Sequence, residues 1–316
     1  MKVIIQIPCL NEAVTLPVVL AELPRELPEV DAVEWLVVDD GSTDGTADVA
    51  RGHGVDHVVR LPHHQGLARA FMAGLDAAVR VGADIIVNTD ADRQYAADDI
   101  ALLIAPIVLG EADMVIGARP IATTAHFPWL KRQLQAAGSA ATRMASGTDV
   151  RDAASGFRAL SRDVATRLHV FNDYTYTVET IIQAGRQGMR VLSVPVRTNP
   201  DLRPSRLVRG MGSYVRRQVL TIVRVYVTYK PFRFFAAIGG ASFLVGFLLG
   251  VRFLFHYWTD GGAGHVQSLI LAALLVGLGF FLVVAGLIAD LMAVNRVLLE
   301  GLDGRMRRIE GNFRRP

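Results

Sequence analysis

Two aspartates one residue apart, Asp90 and Asp92, directly follow the apolar run of residues 85–89, and Gln94 stands two residues beyond them. The run predicts a buried strand, and ligands of open α/β sheets bind at the carboxyl ends of such strands. Two carboxylates at that edge suit Mg²⁺ or Mn²⁺, which proteins hold through one or two carboxylates together with substrate phosphates. The pattern therefore indicates a metal site that handles a nucleotide diphosphate.

Two earlier polar clusters also stand at the ends of predicted strands. PCLNE at residues 8–12 follows the apolar run 3–7, and DDGSTDGT at residues 39–46 follows the run 35–38. Either cluster alone is also explained as a helix cap, because Ser, Thr and Asp are favoured there. If the strands are parallel, all three clusters converge on one crevice. The first two can then accept hydrogen bonds from a nucleobase and ribose, beside the metal and the diphosphate.

The order of the predicted elements indicates the fold class. Further apolar runs at 57–61, 114–116 and 191–196 predict strands, and helical spacing covers residues 67–81 and 98–109. This βαβα alternation predicts an α/β domain with a mostly parallel sheet covered by helices. No GxGxxG follows the first strand, which argues against a dinucleotide-binding Rossmann domain.

Composition limits the classes of function. The 316 residues carry a formal charge of only +3, which gives no reason to expect a nucleic-acid partner. Cys9 is the single cysteine, so no intramolecular disulfide can form, and we expect it to be buried at a strand end. The first eight residues are strand-like and too short for a secretory signal, so the N-terminal domain is expected to stay in the cytoplasm.

The second half of the chain predicts a membrane anchor. Residues 234–251 and 266–289 carry no charge, and each run reaches roughly the 20 residues that cross a bilayer. The connection 259–265 lacks Lys and Arg, whereas both flanks are basic, so the positive-inside rule predicts cytoplasmic flanks and an outer loop.

Helices are also expected on both sides of this hairpin. The segment 207–230 has a basic face, which predicts a helix lying on an anionic membrane surface or an ordinary amphipathic helix; its arginines are Arg209, Arg216, Arg217 and Arg224. Residues 291–316 predict a cytoplasmic tail helix. Glycines 239, 240, 246 and 250 allow close helix contact, within the hairpin or between subunits of a homo-oligomer.

The motifs resemble those of the family-2 glycosyltransferases with the GT-A fold, most of all the polyprenyl-phosphate glycosyltransferases, the group that includes dolichol-phosphate mannose synthase. The matching patterns are PxxNE at 8–12, VDDGSxDGT at 38–46 and DADxQ at 90–94. Shorter matches are GxR at 117–119 and SGF at 155–157, and Ser205-Arg206 stands where the family has Ser-Lys. Arg93 and Tyr95 replace the usual Leu and His. The resemblance covers roughly residues 1–230.

The resemblance implies a role for each site residue. Asp90, Asp92 and Gln94 would surround Mg²⁺ or Mn²⁺ and the diphosphate, and Arg119 and Arg158 would hold the acceptor phosphate beside Ser155. The residues expected to bind the nucleotide sugar are Pro8, Asn11, Glu12, Asp39, Asp40, Gln94, Arg203, Ser205 and Arg206.

The expected activity is an inverting, metal-dependent transfer of a sugar from a UDP- or GDP-sugar to a polyprenyl phosphate at the cytoplasmic membrane face. The expected domains are a GT-A domain at 1–206, a juxtamembrane helix at 207–230, two spans at 231–290 and a tail at 291–316. A family-2 synthase with another acceptor and a non-catalytic membrane scaffold remain alternatives. A processive polysaccharide synthase is less favoured, because none of the tryptophans stands in a QxxRW motif.

Overall fold

The computed structural model describes residues 1–120, 129–170, 176–199, 216, 219–220, 223–224, 227–260 and 266–313. The chain separates into two compact units, residues 1–220 with 300–316, and residues 221–299. Arg203, Ser205, Arg206 and most of the segment 207–230 lie outside the described residues, so the predictions made for them stay predictions. Arg216 and Arg224 are described, and both are helical and exposed.

A sheet of seven strands forms the centre of the first unit. In chain order the strands are β1 (Lys2–Cys9), β2 (Ala32–Asp39), β3 (His57–Arg60), β4 (Ile85–Asn88), β5 (Met114–Ala118), β6 (Arg158–Ser161) and β7 (Val191–Pro195). Their spatial order is β3-β2-β1-β4-β6-β5-β7. Only β6 runs antiparallel to its neighbours, β4 and β5. The prediction of a mostly parallel α/β sheet is confirmed.

Helices cover both faces of this sheet, which is why its strands read as nearly continuous apolar runs. They are α1 (Leu16–Glu22), α2 (Thr46–Gly52), α3 (Leu67–Arg80), α4 (Ile100–Val108), α5 (Trp129–Ser146), α6 (Arg162–Arg167) and α7 (Thr177–Arg186), with a 3₁₀ turn at Ala97–Asp99. Alternate residues of β1 point to opposite faces. Ile5 and Ile7 join the core beneath α1 and α4, whereas Ile4 joins the core beneath α3, α6 and α7.

The register of the three central parallel strands aligns their carboxyl ends. Cys9 of β1 lies opposite Asp39 of β2, and Gln6 of β1 lies opposite Asn88 of β4. The polar clusters that follow these strands therefore leave the sheet at the same edge.

Two long apolar helices follow the sheet domain, α8 (Pro231–Asp260) and α9 (Val266–Phe313). The second unit contains α8 and the part of α9 up to residue 299. Both contain a stretch long and apolar enough to cross a membrane, Pro231–Thr259 and Val266–Asn295, and most of each stretch is exposed. Where they pack, a Cβ on Gly239 would lie 2.7 Å from the Gly279 carbonyl oxygen. The Ser242 hydroxyl donates to the Leu275 carbonyl at 2.9 Å. Helix α9 continues without a break through the segment predicted as a separate tail helix.

Candidate active site at the carboxyl edge of the sheet

The first two polar clusters bind each other through short hydrogen bonds. Asn11 has a positive φ of 55°, and its backbone N–H donates to the Ser42 hydroxyl at 2.9 Å. The Asn11 side-chain oxygen accepts from the Thr43 N–H at 2.9 Å. The Glu12 N–H donates to the Thr46 hydroxyl, also at 2.9 Å. The two loops therefore lie side by side and hold each other through these bonds, and Asn11 supplies two of them.

Asp39 ends β2 with its carboxylate at the crevice edge. The residue is 1% exposed. One carboxylate oxygen accepts from the Ser42 N–H at 2.8 Å, and the other lies 3.4 Å from Nε of Arg60. These two contacts fix the direction of the carboxylate. The nucleotide contact expected of Asp39 stays a prediction, because only 1% of the residue is exposed.

Asp40 is placed differently from Asp39, because consecutive residues at a strand end point to opposite faces. Its carboxylate accepts from the backbone N–H groups of Gln65 at 2.7 Å and Gly66 at 3.0 Å. Nδ1 of His64 lies 2.7 Å away. Asp40 thus anchors the turn before α3, a structural role that the sequence did not indicate.

Gly41 lets the same turn approach the end of β2. Its φ is +72°, in the left-handed region that favours glycine. A Cβ at this position would lie 2.5 Å from the His63 carbonyl carbon. A side chain here would therefore push away the turn that Asp40 holds.

The third cluster turns sharply after β4. Arg93 adopts a φ of 62°, and the Gln94 N–H folds back to donate to the Asp92 carboxylate at 3.0 Å. Nε of Arg93 donates to Glu22 of α1 at 2.6 Å. The buried Tyr95 ring stacks on Phe157 at 4.8 Å. Arg93 and Tyr95, which depart from the family pattern, therefore connect this turn to Glu22 of α1 and to Phe157.

Asp90 lies in a site that disfavours a bare negative charge. Burial and then the charge of Asp92 raise the pKa of the Asp90 carboxyl well above its usual range, whereas Arg119 and Arg158 oppose that rise. No group of three or more His, Cys, Asp and Glu that could hold a metal ion occurs among the described residues. Two carboxylates and the Gln94 amide fit Mg²⁺ or Mn²⁺, because these ions take further ligands from phosphate and water.

Arg119 links the metal candidates to the segment before β6. It makes a bidentate ion pair with the buried Asp152, with contacts of 2.6 and 3.1 Å. Its Nη1 donates to the Gln94 side-chain oxygen at 3.1 Å. The cation is therefore held in place at the site before any ligand arrives.

Arg158 and Ser155 are fully enclosed, which differs from the expectation that they face an acceptor. Nη1 of Arg158 donates to the Thr180 hydroxyl at 2.7 Å, and Nη2 donates to the Ser155 carbonyl. The guanidinium lies 5.1 Å from the centre of the Tyr176 ring. The reason is topological: β6 enters the middle of the sheet, so its side chains are covered on both faces. Burial lowers the pKa of Arg158.

Sequence reasoning missed a buried polar chain beneath Asp90. The Gln6 amide donates to the Asn88 side-chain oxygen at 2.8 Å. The Asn88 amide donates to the Gly156 carbonyl at 2.8 Å and to the Tyr176 hydroxyl at 3.0 Å. An asparagine inside an otherwise apolar run was the available signal, because a polar group buried there needs partners.

Comparisons with known proteins agree with this architecture. The family model described as glycosyl transferase family 2 matches residues 4–168. The polyprenol monophosphomannose synthase of Mycolicibacterium smegmatis is 28% identical over 233 residues, which cover 70% of this chain and 85% of that protein. The undecaprenyl-phosphate mannosyltransferase of Micrococcus luteus is 31% identical over 206 residues, covering 62% and 83% respectively.

Solved structures share the fold. Glucosyl-3-phosphoglycerate synthase from Mycobacterium tuberculosis, in complex with Mn²⁺, UDP-glucose and phosphoglyceric acid, superposes with a TM-score of 0.53 at 24% identity. The match covers 71% of this chain and 79% of that chain. The predicted GT-A fold is thereby confirmed. With more than half of its residues matched by the family model, the chain belongs to glycosyl transferase family 2 and is a glycosyltransferase.

Proposed function

We propose that the protein transfers a sugar from a nucleoside diphosphate sugar to a polyprenyl phosphate, with a divalent metal ion. The observation that carries the proposal is the pair Asp90 and Asp92 beside the two loops that follow β1 and β2. Two relatives named for mannose transfer to polyprenyl phosphates support the choice of acceptor.

The donor would lie across the carboxyl edge of the sheet. Pro8, Glu12 and Asp39 would contact the nucleotide, with Asn11 keeping the two loops together. Asp90, Asp92 and Gln94 would hold Mg²⁺ or Mn²⁺, which supplies charge stabilisation at the leaving diphosphate. Arg203, Ser205 and Arg206 would close over the same diphosphate, as the family resemblance implies.

The acceptor side needs little acid–base chemistry. A phosphate monoester is already ionised at neutral pH, so positioning and charge stabilisation can carry the reaction. Arg119 is the cation best placed to hold the acceptor phosphate, because the Asp152 carboxylate already fixes its guanidinium. Direct displacement by that phosphate would invert the anomeric carbon. The enclosed Arg158 would act on the site from below rather than touch the acceptor.

The two apolar helices α8 and α9 favour a lipid as the acceptor. A polyprenyl phosphate keeps its chain in the bilayer and presents only its phosphate to the water phase. We propose that the catalytic domain, residues 1–206, works at the cytoplasmic face, with the basic segment 207–230 along the membrane and the spans within 231–290. The donor base and the sugar are left open, with UDP and GDP both compatible.

The test is a transfer assay on the purified full chain in detergent. Labelled UDP- and GDP-sugars, mannosyl donors first, are mixed with Mn²⁺ or Mg²⁺ and a polyprenyl phosphate, and label entering the organic phase is counted. The matched control is the polyprenol without its phosphate. We expect one donor to label the lipid, and only when the lipid is the polyprenyl phosphate and not the polyprenol. Nucleoside diphosphate released without labelled lipid would reject this acceptor. Donor binding without any turnover would favour the scaffold alternative.

A further inference from the structure

Gly156, the second residue of the SGF motif, lies directly against the carboxylate of Asp90. A Cβ built on Gly156 would lie 2.8 Å from one Asp90 carboxylate oxygen and 3.0 Å from the other. It would also lie 3.1 Å from the Tyr176 hydroxyl. Real Cβ atoms essentially never lie within 3.0 Å of another atom, so a side chain here would compete with the carboxylate oxygen at 2.8 Å for the same space.

The backbone of Gly156 does not itself demand glycine. Several glycines of the described chain have positive φ, and Gly156 is not one of them. An L-residue could therefore adopt its conformation without the strain of the left-handed region. The space beside the Asp90 carboxylate, and not a turn conformation, therefore disfavours a side chain at this position.

Buried side chains hold Gly156 in this position from both sides. Its carbonyl oxygen accepts from the Asn88 amide at 2.8 Å, and its N–H donates to the Tyr95 hydroxyl at 3.2 Å. Asn88 is itself held by the Gln6 amide at 2.8 Å. Asn88 and Gln6 are fully buried and Tyr95 is 5% exposed. The peptide at Gly156 is thus a fixed wall that cannot easily retreat from a bulkier residue.

We propose that Gly156 is a positioning residue for the metal site: it leaves the space in which the Asp90 carboxylate is held at the ligating position. The inference rests on the proposed function, because it takes Asp90 to be a ligand of the divalent ion. It gives the SGF motif a role at the metal site, which differs from the acceptor role that the family resemblance implied. Groups around metal ligands commonly change metal affinity by about 10- to 100-fold when they are altered.

The first experiment measures Mn²⁺ binding to the full chain in detergent, from the electron paramagnetic resonance signal of free Mn²⁺, in parallel series with UDP and with GDP. We expect Gly156→Ala to weaken Mn²⁺ binding by about tenfold or more. The matched control is Gly185→Ala, whose Cβ would lie 2.3 Å from the Ser146 carbonyl oxygen in the α5–α7 contact. That variant should lose thermal stability and keep its Mn²⁺ affinity.

The outcomes separate this inference from the proposed function. If the wild type binds no Mn²⁺ in either series, the proposed metal site fails, and this inference fails with it. If the wild type binds Mn²⁺ and Gly156→Ala binds it equally well, only the inference about Gly156 is overturned. A loss of affinity in Gly185→Ala as large as that in Gly156→Ala would also overturn it, because general destabilisation would then explain both.

A second measurement does not depend on metal and remains informative if Gly156→Ala is unstable. The fall in the thermal unfolding midpoint caused by Gly156→Ala is measured in the wild-type background and again in an Asp90→Ala background, both with EDTA. If the added methyl group collides with the carboxylate, the fall should be clearly smaller when Asp90 is alanine. Equal falls in the two backgrounds would show that Gly156 does not act on Asp90 and would overturn the inference.

Discussion

Asp39 and Asp40 are neighbours in the chain, yet their carboxylates meet different partners. Asp39 stays at the crevice, whereas Asp40 accepts two backbone N–H groups of the turn before α3. We expect Asp40→Ala to lower the free energy of unfolding by about 2 kcal/mol, because it leaves these donors without their acceptor. The thermal midpoint of the detergent-purified protein should fall by several degrees.

The control for this prediction is Asp48→Ala. Asp48 pairs with Arg51 on exposed α2 at 2.7 Å, and such exposed pairs contribute little to stability. Its thermal midpoint should stay close to that of the wild type. An Asp40→Ala protein as stable as the Asp48→Ala protein would contradict the anchoring role of Asp40.

The raised pKa of Asp90 predicts a pH dependence of stability without metal. Because its folded-state pKa lies above the ordinary value of 3.8 for an aspartate, the folded protein binds this proton more tightly than the unfolded chain. The stability that Asp90 contributes is therefore greatest below pH 3.8 and falls as pH rises through the raised pKa.

Asp90→Asn should remove this dependence. In EDTA, the thermal midpoint of the variant relative to the wild type should increase as pH rises from 4 towards neutrality. A difference that stays constant across this range would mean that Asp90 titrates in its usual range. In the wild type, added metal should reduce the loss of stability as pH rises, because protons and a cation compete for the same carboxylate.

Single residues also show where sequence reasoning reaches its limit. The positions of the Asp39 and Asp90 loops follow from local rules, because polar residues after an apolar run mark a strand end. The burial of Arg158 does not follow from local rules, because an arginine before a short apolar stretch is equally consistent with a surface residue. Its environment comes from Thr180 and Tyr176, which are distant in sequence, and only the folded chain brings them together.

Among the elements, β6 was the strand that the sequence did not predict. It has four residues, RALS, and a strand of this length is too short to show an alternating pattern in the sequence. Its pairing with β4 and β5 is what places Gly156 against the Asp90 carboxylate. The long strands β1 and β2 were predicted within a few residues, because their apolar runs are continuous.

The contact between α8 and α9 gives a prediction for two adjacent glycines. A Cβ on Gly239 would meet the Gly279 carbonyl at 2.7 Å, whereas a Cβ on Gly240 would meet no atom within 4 Å. Gly239→Leu should therefore separate the helices, and Gly240→Leu should not. Disulfide formation between Ser242→Cys and Leu275→Cys in membranes measures the contact, with the native Cys9 buried elsewhere.

We expect the cross-link to form in the Gly240→Leu background and to be lost in the Gly239→Leu background. Equal cross-linking in both would mean that these glycines do not set the helix spacing. The sequence indicated small residues for close contact, but it could not say which glycines face the partner helix. That choice depends on the rotation of each helix about its own axis.

For the whole molecule, the proposed orientation places the connection between α8 and α9 outside and the catalytic domain in the cytoplasm. In intact cells, Gly262→Cys should react with a membrane-impermeant maleimide, because the positive-inside rule puts the connection, which lacks Lys and Arg, outside. Asp48→Cys, in exposed α2 of the catalytic domain, should react only after the cells are permeabilised. The reverse pattern would contradict the proposed sidedness.

We propose that the Asp90–Asp92 site is required for metal-dependent sugar transfer to a polyprenyl phosphate. The most direct measurement is the initial rate of lipid labelling by the wild type, Asp92→Ala and the exposed-site control Asp48→Ala, each with Mn²⁺ and with EDTA. We predict transfer by the wild type and the control with Mn²⁺ only, and a loss of at least about a hundredfold in Asp92→Ala. Transfer by Asp92→Ala at the wild-type rate, or undiminished transfer in EDTA, would contradict it.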